Sequence, residues 1–278
     1  MAERMNNLSG KEWLQNSFSI WRDLRKTKEE NALKHPAMFP SALAERLINI
    51  YTKNNGEMIL DPFVGTGSTV IAAKRLGKRG LGIDLNEEYI NIARKRINDV
   101  LSERNDISNE DCSCQLELGD SYEILKSISS ESIDLCISSP PYWDILNMKR
   151  SVDGKKIKGY SESNKDLGNI SDYEEFLNEL KKIYGEIYRV LKNNKRCCCV
   201  VMDIRKKDKF YPLHIDLSRL MAEIGFELEE FVIWDRQHEY NNMKTLGYPW
   251  VFRFNKVHEF ICVYWKREKR SKKINAGR

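Results

Sequence analysis

The chain of 278 residues is 41% hydrophobic and 31% charged, with 7 Pro and 15 Gly, which excludes disordered, collagen-like and repeat architectures and suffices for one large core or two small ones. Its formal charge of +5 is uneven, because the last thirteen residues, KREKRSKKINAGR, hold seven Lys/Arg against one Glu and leave the remainder close to neutral. The longest apolar runs, CCCVVM and FICVYW, fall far short of the roughly 18 residues that cross a bilayer, and the polar N-terminus lacks the layout of a secretory signal, so a cytoplasmic protein with no membrane partner is expected.

In chain order, residues 1–34 read as an N-terminal segment and residues 35–266 as a single domain. That domain opens with a helix from Ser41 to Lys53, a strand from Met58 to Leu60 and a helix from Thr69 to Leu76. Gly80 to Ile83 (strand), Glu87 to Ser102 (helix), Gln115 to Leu118 (strand), Ser121 to Ser127 (helix) and Ile133 to Ile137 (strand) follow. A long polar loop, 143–171, precedes a helix from Tyr173 to Leu191, a strand from Cys197 to Met202, a helix from Ile215 to Ile224 and a strand from Phe226 to Trp234. A second long loop, 235–256, mixes aromatics with Arg, Lys and Asn before the last strand, Glu259 to Trp265, and residues 267–278 form a basic tail. Short apolar strands alternating with amphipathic helices predict a doubly wound α/β domain with a seven-stranded sheet, in which ligands lie at the carboxyl ends of the strands. Loops as long as these two are usually functional, and both fall on the rim of that sheet.

Cysteine chemistry points elsewhere. Cys197, Cys198 and Cys199 are adjacent inside a strand, no CxxC pair occurs, and Cys262 stands where His258-Glu259 would need a second His for a metalloprotease helix. Reduced, buried thiols are expected, with neither a disulfide framework nor a metal site.

The segment ILDPFVGTGSTVIAA sets Asp61, Gly65 and Gly67 between a strand and a helix, where glycines let the backbone approach a ligand closely. Asp84 ends the next strand, 23 residues after Asp61, a spacing that suits an acid binding the paired hydroxyls of a ribose. A dinucleotide fingerprint would want Gly or Ala where Val70 stands, and a phosphate loop would want Ser or Thr where Arg79 follows Gly77-Lys78. Asp61 beside the turn repels phosphate and attracts a cation. The expected ligand is positively charged and free of phosphate, which describes S-adenosylmethionine.

At the end of the fourth strand stands Ser139-Pro140-Pro141-Tyr142, followed by Trp143. Two prolines lock the backbone and remove both N–H donors, so rigid carbonyl acceptors face the ligand edge. A substrate amino group could donate to the Ser139 hydroxyl and the Pro140 carbonyl while Tyr142 stacks on the attached ring, freeing the nitrogen lone pair for attack on a methyl group held in line.

With these residues in hand the sequence resembles the DNA amino-methyltransferases of the cytosine-N4/adenine-N6 family. DPFVGTG is similar to that family's cofactor motif I and SPPY to its catalytic motif IV, while HPAMFP and VHEFICVYWK resemble motifs X and VIII. The resemblance implies a Rossmann-like methyltransferase sheet, mostly parallel with a final antiparallel strand, and S-adenosylmethionine as cofactor. It also implies a permuted motif order. The cofactor residues implied are Phe39 and Pro40 near the methionine part, Asp61, Pro62, Phe63, Gly65, Gly67 and Ser68 in motif I, Asp84 with Leu85 at the ribose, and Asp120 with Ser121 at the adenine.

The implied substrate is DNA with one nucleotide flipped out, a companion restriction nuclease being the further partner. The Ser at the head of the catalytic tetrapeptide favours cytosine N4. Adenine N6, an amine in structured RNA, and a catalytically silent nucleic-acid-binding subunit stay open as alternatives. With no separate target-recognition domain, recognition falls to the two loops, the tail and the N-terminal segment, which should pack near the target site. Trp143, Lys149, Arg150, Lys155, Lys156, Lys158 and Arg253 are the candidate DNA-binding residues, with Gln237 or Asn241 reaching base edges.

Overall fold

Strands apolar on both faces need helices above and below them, and this sequence supplies both. In the computed structural model, which describes residues 4–33, 38–103, 112–144, 166–240 and 245–268, the first half comprises α1 (Gly10–Asn16), β1 (Ile20–Trp21), α2 (Lys28–Ala32), α3 (Ser41–Tyr51), β2 (Met58–Asp61), α4 (Ser68–Arg75), β3 (Arg79–Asp84), α5 (Glu87–Glu103), β4 (Cys114–Leu118), α6 (Ser121–Ser127) and β5 (Ile133–Ser138). The second half comprises α7 (Tyr173–Val190), β6 (Leu191–Val201), β7 (Ile204–Lys206), β8 (Lys209–Tyr211), α8 (Leu213–Ile224), β9 (Glu227–Asp235) and β10 (His258–Trp265).

The main sheet has the order β1-β9-β10-β6-β5-β2-β3-β4. The chain enters at the centre with β2, winds outward through β3 and β4, returns to β5 and winds the other way, so β2 and β5 flank the point where the winding reverses. β10 runs antiparallel to both β6 and β9, while the β2, β3, β4, β5 and β6 ladders are parallel. Alternation along the central strands divides the core: Cys136, Cys197 and Cys199 pack with α7 and α8, whereas Leu135, Ile137, Cys198 and Val200 pack with α3 and α4.

The sheet has eight strands, not the expected seven. The addition, β1, pairs in parallel with β9 through Ile20 and Trp21, and two residues are too few to show a period in the sequence. Its Trp21 is buried under the Arg46 guanidinium, 5.0 Å from the ring centre. Asn6 donates through Nδ2 to the Ile50 carbonyl at 2.8 Å, so the start of the N-terminal segment lies along α3 and the outer edge of the sheet. Its later part is fastened to the start of α3 through the buried Glu30, which accepts from the Ser41 backbone N–H at 2.8 Å. The short helices α1 and α2 were not expected; the signal that could have found them is the capping box that opens each, Ser9 with Glu12 and Thr27 with Glu30.

Candidate active site

Asp61 ends β2 with its carboxylate turned under the glycine turn, accepting from the Thr69 hydroxyl at 2.6 Å and from the Phe63 N–H at 3.0 Å. Burial pushes its pKa up to about 7. Gly65 and Gly67 both take positive φ, 51° and 93°, as the chain turns from strand into α4. A Cβ on Gly67 would stand 2.8 Å from Cβ of Ala93 on α5, so this glycine serves helix packing. The Gly65 N–H donates to Asp84 Oδ2 at 2.8 Å, while Asp84 Oδ1 accepts from the Asn86 N–H at 2.8 Å. Burial raises the Asp84 pKa to about 6 against the pull of these donors.

Above this turn opens a cavity of about 340 Å³. Gly65 and Asp84 form one part of its wall, Asp120 and Ser121 at the start of α6 a second, and Ser139 and Pro141 beyond the end of β5 a third. Side-chain bonds fasten these pieces: the Ser68 hydroxyl donates to the Phe39 carbonyl at 2.8 Å, and the Ser121 hydroxyl donates to the Pro62 carbonyl. Arg96 donates to the Thr66 carbonyl at 2.7 Å and pairs with Glu30 at 3.3 Å, tying the N-terminal segment to the same turn.

Of the cofactor candidates, Phe39, Pro62, Phe63, Gly65, Ser68, Asp84, Leu85, Asp120 and Ser121 line the cavity. Asp61 and Gly67 are not among the lining residues, because the first is spent bracing the turn and the second faces α5; Pro40 caps α3. The cationic attraction expected of Asp61 passes to residues that sequence reading missed. Asp166, Glu175 and Glu179 join Asp84 and Asp120 on the wall, and among the described residues no Lys, Arg or His lines it. Glu175, Glu179 and Ile183 follow the i, i+4, i+8 stripe of α7, which marks a shared helix face without saying what it faces.

Among the catalytic candidates Ser139 and Pro141 face the cavity, while Pro140 and Tyr142 are not among its lining residues. Tyr142 is 7% exposed, with its hydroxyl 2.7 Å from Glu259 Oε2 and 3.4 Å from the Ser139 hydroxyl. A base can stack on this ring only if the corner opens, so the tyrosine here anchors the diproline turn rather than presenting its face. Trp143 requires a correction as a DNA contact. At φ 52° the chain turns it inward, where it is 3% exposed, packed against Tyr173 and Tyr211, with the Lys206 ammonium 3.9 Å from its ring centre. Arg253 is paired with Asp208, and Gln237 opens a short 3-10 turn after β9. Lys149, Arg150, Lys155, Lys156, Lys158 and Asn241, with His35 and most of the basic tail, lie outside the described residues.

Comparison with known proteins gives a consistent family. A family model described as DNA methylase, for N6 and N4 methyltransferases, matches residues 2–95 and 133–276. The Type II methyltransferase M2.DpnII of Streptococcus pneumoniae is 52% identical over 79 residues, 28% of this chain and 29% of that protein. The Type II methyltransferase M.HpaI of Haemophilus parainfluenzae is 37% identical over 91 residues, 33% of this chain and 29% of that protein. The aligned stretches thus span less than a third of these curated relatives. A solved SAM-dependent methyltransferase from Methanosarcina mazei shares the fold, with a TM-score of 0.50 at 16% identity over 80% of this chain and 98% of that one.

Proposed function

From the premise that the chain belongs to the DNA methylase family of N6 and N4 methyltransferases, we propose that it is an S-adenosylmethionine-dependent DNA methyltransferase acting on an exocyclic base amine, cytosine N4 in preference to adenine N6. One observation carries this reading: Ser139 and Pro141 share a single acid-walled cavity with Gly65 and Asp84. Among the described residues the wall bears five carboxyl side chains and no basic one, which fits a ligand that carries ammonium and sulfonium charge and lacks phosphate.

In this reading Asp84 accepts from the ribose hydroxyls, the α6 start at Asp120 and Ser121 borders the adenine, and Phe39 packs beside the methionine part. Asp166, Glu175 and Glu179 supply negative potential to the cationic end. When bound, S-adenosylmethionine supplies a methyl group whose bond to sulfur breaks, with the electron pair staying on sulfur, as the bond to the amine nitrogen forms. Ser139 accepts a hydrogen bond from that amine and the Pro140 carbonyl accepts the second, which turns the nitrogen lone pair out of the base ring. Neither group needs to act as a strong base, since the methylated amine is acidic and loses its proton to water. Holding nitrogen and methyl carbon in line supplies most of the acceleration. The base must leave the duplex to reach the cavity, at a cost of a few kcal/mol.

The assay is incubation of the protein with methyl-labelled cofactor and unmethylated DNA of varied sequence, with transfer RNA in parallel, followed by nucleoside analysis. 4-Methylcytosine is the expected product; 6-methyladenine would reassign the base, label confined to RNA would reassign the polymer, and no product from either would refute the proposal. The Type II relatives support a companion restriction nuclease as partner, for which protection of methylated DNA from the host's endonucleases is the test.

A further inference from the structure

The loop between β9 and β10 carries an exposed aromatic crest. Tyr248, Trp250, Phe252 and Phe254 are 79%, 88%, 85% and 84% exposed within seven residues, a cluster of the kind that marks contact with something else. The crest has a defined set of internal contacts. A bridge between Leu246 and Arg253 closes its base, the Trp250 and Val251 N–H groups donate to the Gly247 carbonyl at 2.8 and 2.7 Å, and Phe252 and Phe254 meet edge to face at 5.2 Å.

This crest is joined to the β7–β8 hairpin, whose sequence carries Arg205, Lys206, Lys207 and Lys209 with a single acid, Asp208. Arg253 pairs with Asp208, and Lys256 donates to the Asp203 carbonyl at 2.7 Å while lying 4.7 Å from the Phe210 ring centre. Register places both elements at the sheet edge where the cavity opens. Ser138 at the end of β5 pairs with Cys199, Val201 at the end of β6 pairs with Phe260, and Asp235 at the end of β9 pairs with His258 at the start of β10. Two copies docked through this face would set like charges together, whereas a polyanion with planar rings complements both features.

We propose that this rim holds the DNA open: Trp250, Phe252 and Phe254 stack on bases beside the extruded nucleotide, and Arg205, Lys207 and Lys209 hold its phosphates. The identity of the polymer rests on the methyltransferase reading; the stacking role rests on the crest itself. Aromatic side chains stack on bases of any sequence, which lets this rim stabilise a flipped state without reading base edges.

The test compares binding of short labelled duplexes, matched or with one central mismatch, by the full chain and its Trp250→Ala/Phe252→Ala, Trp250→Phe and Lys207→Ala/Lys209→Ala variants, in a salt series without cofactor. The aromatic double variant should bind at least about thirtyfold more weakly with an unchanged salt slope, and Trp250→Phe should bind as the wild type does. The lysine double variant should lower the salt slope by about two. Sedimentation and thermal unfolding of each variant run alongside. Wild-type affinity in the aromatic double variant would overturn the proposal, as would a shift from dimer to monomer with DNA binding intact, which would assign the crest to a second copy. Because no turnover is measured, stacking can stand while the methylation assay fails, and the reverse.

Discussion

The Tyr142 hydroxyl donates to Glu259 Oε2 at 2.7 Å, fastening the diproline corner after β5 to the start of β10 through a buried carboxylate that also pairs with Arg236. Arg236 in turn holds Glu239 at 2.6 Å and lies 4.8 Å from the Trp234 ring centre, so the corner is braced by residues nearly a hundred positions away in sequence. Burial together with the facing carboxylate keeps the Tyr142 hydroxyl protonated, as a donor must be.

Tyr142→Phe should therefore slow methyl transfer and leave cofactor affinity within about twofold, while costing about 1–3 kcal/mol of stability for the acceptor left unpaired in the interior. Glu259→Gln retains an oxygen for the Tyr142 hydroxyl and should preserve more turnover than Tyr142→Phe. Single-turnover methylation and cofactor calorimetry on both variants separate the effects; equal losses of cofactor affinity and turnover would show that the corner also shapes the cofactor pocket.

Cofactor affinity should depend on pH through Asp84. Its carboxyl is protonated below about pH 6 in the free protein, and ribose hydroxyls need the ionised form as acceptor. Affinity should thus be constant above pH 7 and fall toward tenfold per pH unit below about 6, a trend that Asp84→Asn abolishes at a uniformly weaker level. Calorimetry across pH 5 to 8, in buffers matched for ionic strength, reads it directly.

Asp61 should act on stability instead. Its folded-state pKa of about 7 lies above the ordinary 3.8, so its contribution is most favourable below pH 4 and is lost as pH rises through 7. Carrying the ionised form at neutral pH costs up to about 4 kcal/mol at 1.36 kcal/mol per pH unit. Asp61→Asn can keep both hydrogen bonds, because the Thr69 hydroxyl can accept from the new amide. The urea midpoint of the variant should gain on the wild type between pH 5 and 8; parallel curves would contradict the assignment.

Gly67→Ala should destabilise by about 2–4 kcal/mol, combining a left-handed backbone with a methyl pressed on Ala93. Adding Ala93→Gly should restore the steric part and leave the backbone part. Chemical unfolding of the two single variants and the double variant measures that partition.

The alternation of short apolar strands with amphipathic helices was enough to read the winding of the sheet and the places of β2, β3, β5 and β10, since period and burial follow from local side-chain pattern. DPFVGTG and SPPY stood out likewise, because each gathers unusual residue types into a few adjacent positions, and Gly65, Asp84, Ser139 and Pro141 share one cavity wall. What each of those residues does was less so. Asp61 and Gly67 belong to the motif yet serve the turn and the α5 contact, since whether a side chain meets a cavity or a neighbouring helix depends on partners such as Thr69 and Ala93.

Sequence alone, then, determined the class of fold and singled out two segments whose residues share the cavity at its centre. Tertiary structure decided which carboxyl groups line the cavity, that Tyr142 and Trp143 turn inward, and that a basic hairpin and an aromatic loop share one rim. The physical reason is range. Patterns of burial recur every two or four residues and can be read in place, whereas Glu175 on one cavity wall with Asp84, or Glu259 beneath Tyr142, is placed there only when the whole sheet has closed around them.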